Sequence, residues 1–272
     1  MRRRVDAPEA WRDPLTSYRR HLAAAGRPES TIKIRLSQLR RHAVELRLAP
    51  HEITPEDLEQ YLDRPDWSND YRRTIRAALR GFYRWAHDTG QLPMNPAYRL
   101  PTITPKIGKP RPTSEDALEE ALASADPRTR MMIALAAATG ARCCEIAVVH
   151  TRDLRGRRGD WRLELHGKGN RDRIVPVPDW IAWEVRDADG YLFPGQIAGH
   201  ISAAYVSKLI SRALPGFTAH TLRHRFATQT LRHAGGNLIV VQRLLGHASV
   251  ATTQIYTDVE DDQLRDAVRW AA

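Results

Sequence analysis

Along the first hundred residues apolar positions recur at intervals of three and four, the spacing of one buried helix face. Trp11 to Ala25 reads as a helix ended by Gly26. A second starts at Pro28-Glu29-Ser30 and aligns Ile32, Leu36, Leu39, Ala43 and Leu46. Thr54-Pro55-Glu56-Asp57 is a capped start, with proline at the first helical position and acids in the first turn, for a short helix ending near Asp63. Ser68 or Asn69 can cap a longer helix whose apolar positions include Ile75, Leu79, Phe82 and Trp85 or Ala86. Six prolines, 93, 96, 101, 105, 110 and 112, then block helix, placing an interdomain linker at 101–112 after a helical domain over 1–100.

The domain expected over 113–272 opens on Thr113-Ser114-Glu115-Asp116, another capped start. Met131 to Thr139 is apolar nearly all round, as in a buried helix, and Gly140 suits its end. A short helix follows from Cys143 to Val149. Trp161 to Leu165 and Arg173 to Val177 alternate around the turn residues Gly167-Lys168-Gly169-Asn170, a β-hairpin pattern. Helices are then expected over Ser202 to Ala213, Thr221 to His233, Leu238 to Leu245, Ala251 to Ile255 and Asp261 to Trp270. The fold class is mainly α with a small β-hairpin or sheet.

Charge sharpens this picture. The 272 residues carry 42 Lys and Arg against 32 Asp and Glu, a net charge of +10, which points to a polyanionic partner. Only five of the basic residues are lysine. No Asp or Glu occurs between Asp189 and Asp258, a run of 68 residues holding Lys208, Arg212, Arg223, Arg225, Arg232, Arg243 and five histidines. A solvated face mixes signs, so this run reads as a phosphate-facing surface. In the first domain Arg72, Arg73, Arg76, Arg80 and Arg84 lie between the apolar positions of the fourth helix, a candidate DNA-facing set that also fits an ordinary solvated face. Arg171 and Arg173 in the hairpin join the DNA candidates. No apolar run reaches the roughly 18 residues needed to span a bilayer, and Arg2-Arg3-Arg4 is not followed by a signal-peptide core. A cytoplasmic, nucleoid-associated protein is therefore expected. Cys143 and Cys144 are adjacent, too few for a zinc site, and no cofactor or metal is expected.

Taken singly, the polar residues of the second domain are ambiguous. Arg142 would serve at a helix carboxyl end, Lys168 in a solvated turn, His220 as a helix cap, His247 as a core histidine and Tyr256 in packing. Their order changes the reading. Thr139-Gly140-Ala141-Arg142-Cys143-Cys144-Glu145, Gly167-Lys168-Gly169-Asn170-Arg171-Asp172-Arg173, His220-Thr221-Leu222-Arg223-His224-Arg225-Phe226-Ala227-Thr228, and Leu245-Gly246-His247-Ala248-Ser249 leading to Tyr256 resemble the tyrosine recombinase (phage integrase) family. The motifs span about residues 113 to 260, and the N-terminal unit looks like the family's core-binding domain by position and character alone. Ala141-Arg142-Cys143 departs from the family's usual Leu-Arg-Ile or Leu-Arg-Val, leaving the arginine in place.

The resemblance implies a catalytic set of Arg142, Lys168, His220, Arg223, His247 and Tyr256. Tyr256 would be the nucleophile, forming a 3′-phosphotyrosyl link, and a phenol of pKa about 10 needs a proton acceptor and a cationic surround. His220 is the candidate acceptor. Arg142 and Arg223 offer planar forks to the phosphate oxygens, and His247 would bond a non-bridging oxygen. Lys168 would protonate the leaving 5′-oxygen, which arginine, with a pKa above about 12, could not readily do. Glu145, three residues after Arg142, is expected to orient that arginine or a neighbouring backbone group. Expected partners are double-stranded DNA core sites, further copies of the chain in a homotetramer on two duplexes, and a directionality factor. Only about ten residues precede the first helix, so no arm-binding module is expected. Integration or excision of phage or mobile-element DNA is the expected role, with Xer-type dimer resolution as the alternative. The rival from another class is a non-catalytic DNA-binding regulator that uses Thr221 to Leu245 as a helix-turn-helix.

Overall fold

The computed structural model describes residues 6–105, 112–167 and 172–246. The chain divides into two compact units, Met1–Gly108 and Lys109–Ala272. In the first, four helices pack on one aromatic-rich core: α1 (Glu9–Ala24), α2 (Glu29–Leu46), α3 (Pro55–Leu62) and α4 (Asn69–Asp88). Their starts follow from capping chemistry. Thr54 and Asp57 form a reciprocal capping box, the Thr54 N–H donating to Asp57 Oδ2 at 2.9 Å, and the Ser68 hydroxyl accepts from the Tyr71 N–H at 3.2 Å. Ser68, not Asn69, is thus the cap of α4.

Trp11, Tyr18, Tyr61, Phe82 and Tyr83 lie at the centre of this core, each at most 2% exposed. Gly81 admits the Tyr18 hydroxyl, which would stand 2.7 Å from any Cβ placed there. Beyond α4, Leu92, Ala97 and Leu100 are buried against the same core. Arg76 donates to the Leu100 carbonyl at 2.9 Å, and the Asn69 amide to that of Thr104 at 3.1 Å.

The second unit runs α5 (Glu115–Ser124), α6 (Pro127–Thr139), α7 (Cys143–Ala147), a 3-10 turn (Thr151–Asp153), β1 (Leu154–Arg157), β2 (Asp160–Leu165), β3 (Arg173–Val177), α8 (Asp179–Asp187), α9 (Ala203–Ala213), α10 (Ala219–His233) and α11 (Leu238–Leu245). Helix α6 has no exposed residue from Met131 onward, with Met132, Ile133, Leu135 and Ala136 fully inaccessible, and it begins four residues before the apolar run because Asp126 caps it and Pro127 opens it. Helix α10 begins at Ala219, since Thr218 and Thr221 form its capping box, which places His220 in the first turn. The sheet is antiparallel, in the order β1-β2-β3, with Leu163 opposite Val175 and Leu165 opposite Arg173. The alternation of β3 turns Arg173, Val175 and Val177 inward.

Four elements lie outside the sequence expectation: the 3-10 turn, β1, α8 and a short strand β4 (Pro194–Ile197). Strand β1 pairs along its whole length with β2 although Leu154 is its only apolar residue. Helix α8 buries Ile181, Ala182 and Val185 while exposing Trp180 and Trp183, so apolar residues on both faces blur its period. The helices expected over 251–255 and 261–270 fall outside the described residues. Among the described residues no helix is long and apolar enough to cross a membrane.

Candidate active site

The described part of the site is built around two places where helices stop. Helix α6 ends on Gly140 and α11 on Gly246, both in the left-handed region at φ 61° and 63°. A side chain at Gly140 would strike the Phe226 ring at 2.6 Å and Leu245 at 2.9 Å, so glycine there serves both conformation and close packing. The last carbonyls of a helix have no partner within it and carry its partial negative charge. Here arginines supply the partners.

Arg223, on α10 and 4% exposed, donates from Nη1 to the Gly140 carbonyl at 2.5 Å and from Nη2 to that of Leu245 at 2.7 Å. Arg173, 7% exposed, donates to the carbonyls of Thr139 (3.2 Å), Gly140 (3.3 Å) and Leu244. Its Nη2 also meets Glu145 Oε2 at 2.8 Å.

Two residues beyond Gly140 the chain is extended at Arg142, which caps α7. The fully buried Glu145 accepts from the Arg142 backbone N–H at 2.9 Å and from its Nη1 at 2.6 Å, while the Arg142 side chain stays 40% exposed. Burial acts to raise the Glu145 carboxyl pKa, but the charge and hydrogen bonds of Arg173, with those of Arg142, outweigh it and hold the group ionised below its ordinary range. His220 is exposed in the first turn of α10, its pKa lowered by partial desolvation and then by the charges of Arg223 and Arg142. Its ring stands edge-on to His224, with centroids 4.2 Å apart, and burial brings His224 down to about 4. An imidazole whose protonation is disfavoured by two nearby guanidinium charges can accept a proton.

Arg142, Glu145, His220 and Arg223 are therefore brought together. Lys168, Arg171, His247 and Tyr256 lie outside the described residues. At the base of the hairpin, His166 at the end of β2 bridges Asp153 Oδ1 (Nε2, 3.1 Å) and Asp172 Oδ2 (Nδ1, 3.2 Å), and the Gly167 N–H donates to Asp172 Oδ1 at 3.2 Å. Hydrogen bonding to Asp153 leads the contributions that raise the His166 pKa. Glu164, His166 and Asp172 offer atoms within 4.8 Å of one another, but both His166 nitrogens face carboxylates, which makes this an ion-pair cluster.

The arginines expected to face DNA divide. Arg80, Lys208, Arg212 and Arg243 are exposed. Arg73 and Arg84 are exposed but pair with Asp70 and Asp88, each at 3.4 Å. Arg72 donates to the Arg64 carbonyl at 2.5 Å, and Arg76 holds the Leu100 carbonyl. Arg225 pairs with Glu115 at the start of α5, Nε to Oε1 at 3.0 Å, with its side chain 19% exposed. One expectation needs correction. Arg173 is inside the protein because the alternation of β3 points it there with Val175 and Val177, a signal present in the sequence that the charge argument overrode.

The phage integrase family model matches residues 113–263. The tyrosine recombinase XerD of Pseudomonas aeruginosa is 33% identical over 224 residues, covering 72% of this chain and 74% of the relative. The tyrosine recombinase XerC of Corynebacterium glutamicum is 33% identical over 222 residues, covering 72% and 69%. In fold the chain is similar to a lambda integrase (75-356) dimer bound to a COC' core site, with a TM-score of 0.73 at 20% identity over 90% of this chain and 94% of that one. It is also similar to XerH bound to a palindromic difH substrate, with a TM-score of 0.66 at 22% identity over 89% and 80%. The chain belongs to the phage integrase family of tyrosine recombinases, the site-specific DNA strand-transferring enzymes.

Proposed function

We propose that this recombinase cuts and rejoins duplex core sites through Tyr256, with the unit over 1–100 gripping the DNA and that over 113–272 performing the chemistry. The observation that carries the site assignment is the gathering of Arg142, Arg223 and a neutral-leaning His220 around the end of α6. Tyr256 Oη attacks the scissile phosphorus and its proton passes to His220. The bond from phosphorus to the 5′-oxygen breaks as the Lys168 ammonium gives that oxygen a proton, leaving a 3′-phosphotyrosyl ester and a free 5′-hydroxyl. Arg142 and Arg223, with His247, offset the charge on the non-bridging oxygens. Because the ester conserves the broken bond, a 5′-hydroxyl from a second strand reverses the steps and seals a new junction.

Integration or excision of phage or mobile-element DNA, by a tetramer holding two duplexes and directed by an accessory factor, is the role proposed first. Xer-type dimer resolution is the second reading, favoured by the XerD and XerC relatives. Denaturing lysis of cells expressing the chain, followed by sequencing of the DNA joined to it, tests both. A host or element attachment site supports the first and a chromosomal dimer-resolution site the second. With that site made as a nicked duplex, the wild type should accumulate a covalent adduct and Tyr256→Phe should bind without forming one. An adduct with Tyr256→Phe overturns the nucleophile assignment.

A further inference from the structure

The charge pattern placed Arg173 on DNA, and the fold places it at the junction of the elements that carry the chemistry. It is the first residue of β3, immediately beyond the hairpin segment that includes Lys168, and its side chain is 5% exposed. Its guanidinium reaches the last carbonyls of α6, the Leu244 carbonyl of α11 and the carboxylate of Glu145. The fit is close, since a Cβ at Gly246 would stand 2.8 Å from Arg173 Cδ.

Two of these contacts, Glu145 and the Gly140 carbonyl, are shared with residues of the site. Glu145 holds Arg142 through both the backbone N–H and Nη1. The Gly140 carbonyl accepts from Arg173 and Arg223 together. Leu244 lies three residues before His247. A buried ion pair is a poor device for stability alone, because an apolar side chain of similar volume on the inward face of β3 avoids desolvating a guanidinium. What an apolar residue cannot do is satisfy two helix ends and a carboxylate at once, which a planar fork with five N–H donors can.

We propose that Arg173 is a positioning residue for strand cleavage: by locking Glu145 and the ends of α6 and α11 it fixes the geometry in which Arg142 and Arg223 meet the scissile phosphate. This rests on the assignment of those two arginines as phosphate ligands. Without Arg173, Glu145 keeps only Arg142 among these partners, the Gly140 carbonyl keeps only Arg223, and Arg142 loses the fixed base from which it reaches out.

The test uses the full chain and two nicked core duplexes, one with an ordinary scissile phosphate and one with a methylphosphonate, whose methyl group removes the negative charge the arginines offset. Arg142→Ala serves as the reference. Arg173→Met, assayed where melting curves show it folded, should bind the core site within a few-fold of wild type. Its rate of adduct formation on the phosphate should fall by about 100-fold, the scale for removing a preorganised charge-stabilising donor, with much of the loss recovered on the methylphosphonate. Arg173→Lys, which keeps the buried charge but not the fork, should show the same substrate-dependent loss to a smaller degree. It also stands in if the methionine variant fails to fold, and Glu145→Gln should reproduce the pattern.

Equal losses on both substrates, or full cleavage by a folded Arg173 variant, overturn the positioning role. If Arg142→Ala itself gains nothing from the neutral substrate, the phosphate-ligand assignment fails instead, and the two failures are told apart.

Discussion

The hydroxyls of Thr113 and Thr221 lie 2.9 Å apart, and the Thr113 N–H donates to the Thr221 carbonyl at 3.3 Å. The segment leading into α5 is thereby sewn to the first turn of α10, between His220 and Arg223. Arg225 and Gln229 repeat the connection a turn later, both reaching Glu115. Thr113→Val keeps the shape and removes the hydroxyl, and should lower stability by about 1 kcal/mol. In a unit of this size that is a fall of roughly 2–4 °C in the melting midpoint, measurable by calorimetry.

His42, fully buried in the core of the first unit against Trp11 and Tyr61, sets an acid limit. Burial lowers its pKa to about 4 from 6.5. A depressed value means that unfolding takes up a proton, so stability is intact above about 6.5 and is lost as the pH falls toward 4, by roughly 3 kcal/mol in all. Urea midpoints between pH 7.5 and 4.5 should show this loss in wild type and a flatter profile in His42→Phe. Parallel profiles would assign the acid limit to other groups.

His166 works in the opposite sense. Its raised value means that the clamp on Asp153 and Asp172 stabilises fully below the unfolded pKa near 6.5 and weakens as the pH rises through the folded one. Being partly exposed, the contribution is small. Wild type should lose more stability than His166→Gln between pH 6 and pH 9, as read from paired melting curves.

Lys168→Ala should cleave an ordinary core site slowly. It should recover on a 5′-bridging phosphorothiolate, because a thiolate of pKa about 8.5 leaves without a donated proton. Gel-resolved adduct formation on the two substrates decides the point, and absence of recovery removes Lys168 from the proton-donating role.

Most of the helices were legible because their starts are written in local chemistry, as in Thr54 with Asp57 or Ser114 before Glu115. The hairpin was legible from the alternation of Trp161 to Leu165 and Arg173 to Val177. Strand β1 was not, since pairing with β2 and not its own composition makes Leu154–Arg157 a strand. Arg142, Glu145, His220 and Arg223 could be named from motif order, but their arrangement could not. It depends on backbone carbonyls of Gly140 and Leu245, which leave no trace in residue type. Arg173 was misread although the alternation of β3 turns it inward with Val175 and Val177, because charge alone does not distinguish an arginine facing solvent from one facing a helix end.

Those carbonyls make the site unequally vulnerable to different kinds of genetic change. Replacing Thr139 or Leu244 alters a side chain and leaves the acceptor oxygen where it was. Inserting or deleting one residue within α6 or α11 turns the helix end by about 100° and shifts it by about 1.5 Å, withdrawing the oxygens from Arg173 and Arg223 together. The lengths of these two helices are therefore fixed more strictly than the identity of the residues whose carbonyls serve, and successful insertions should collect in the connecting loops.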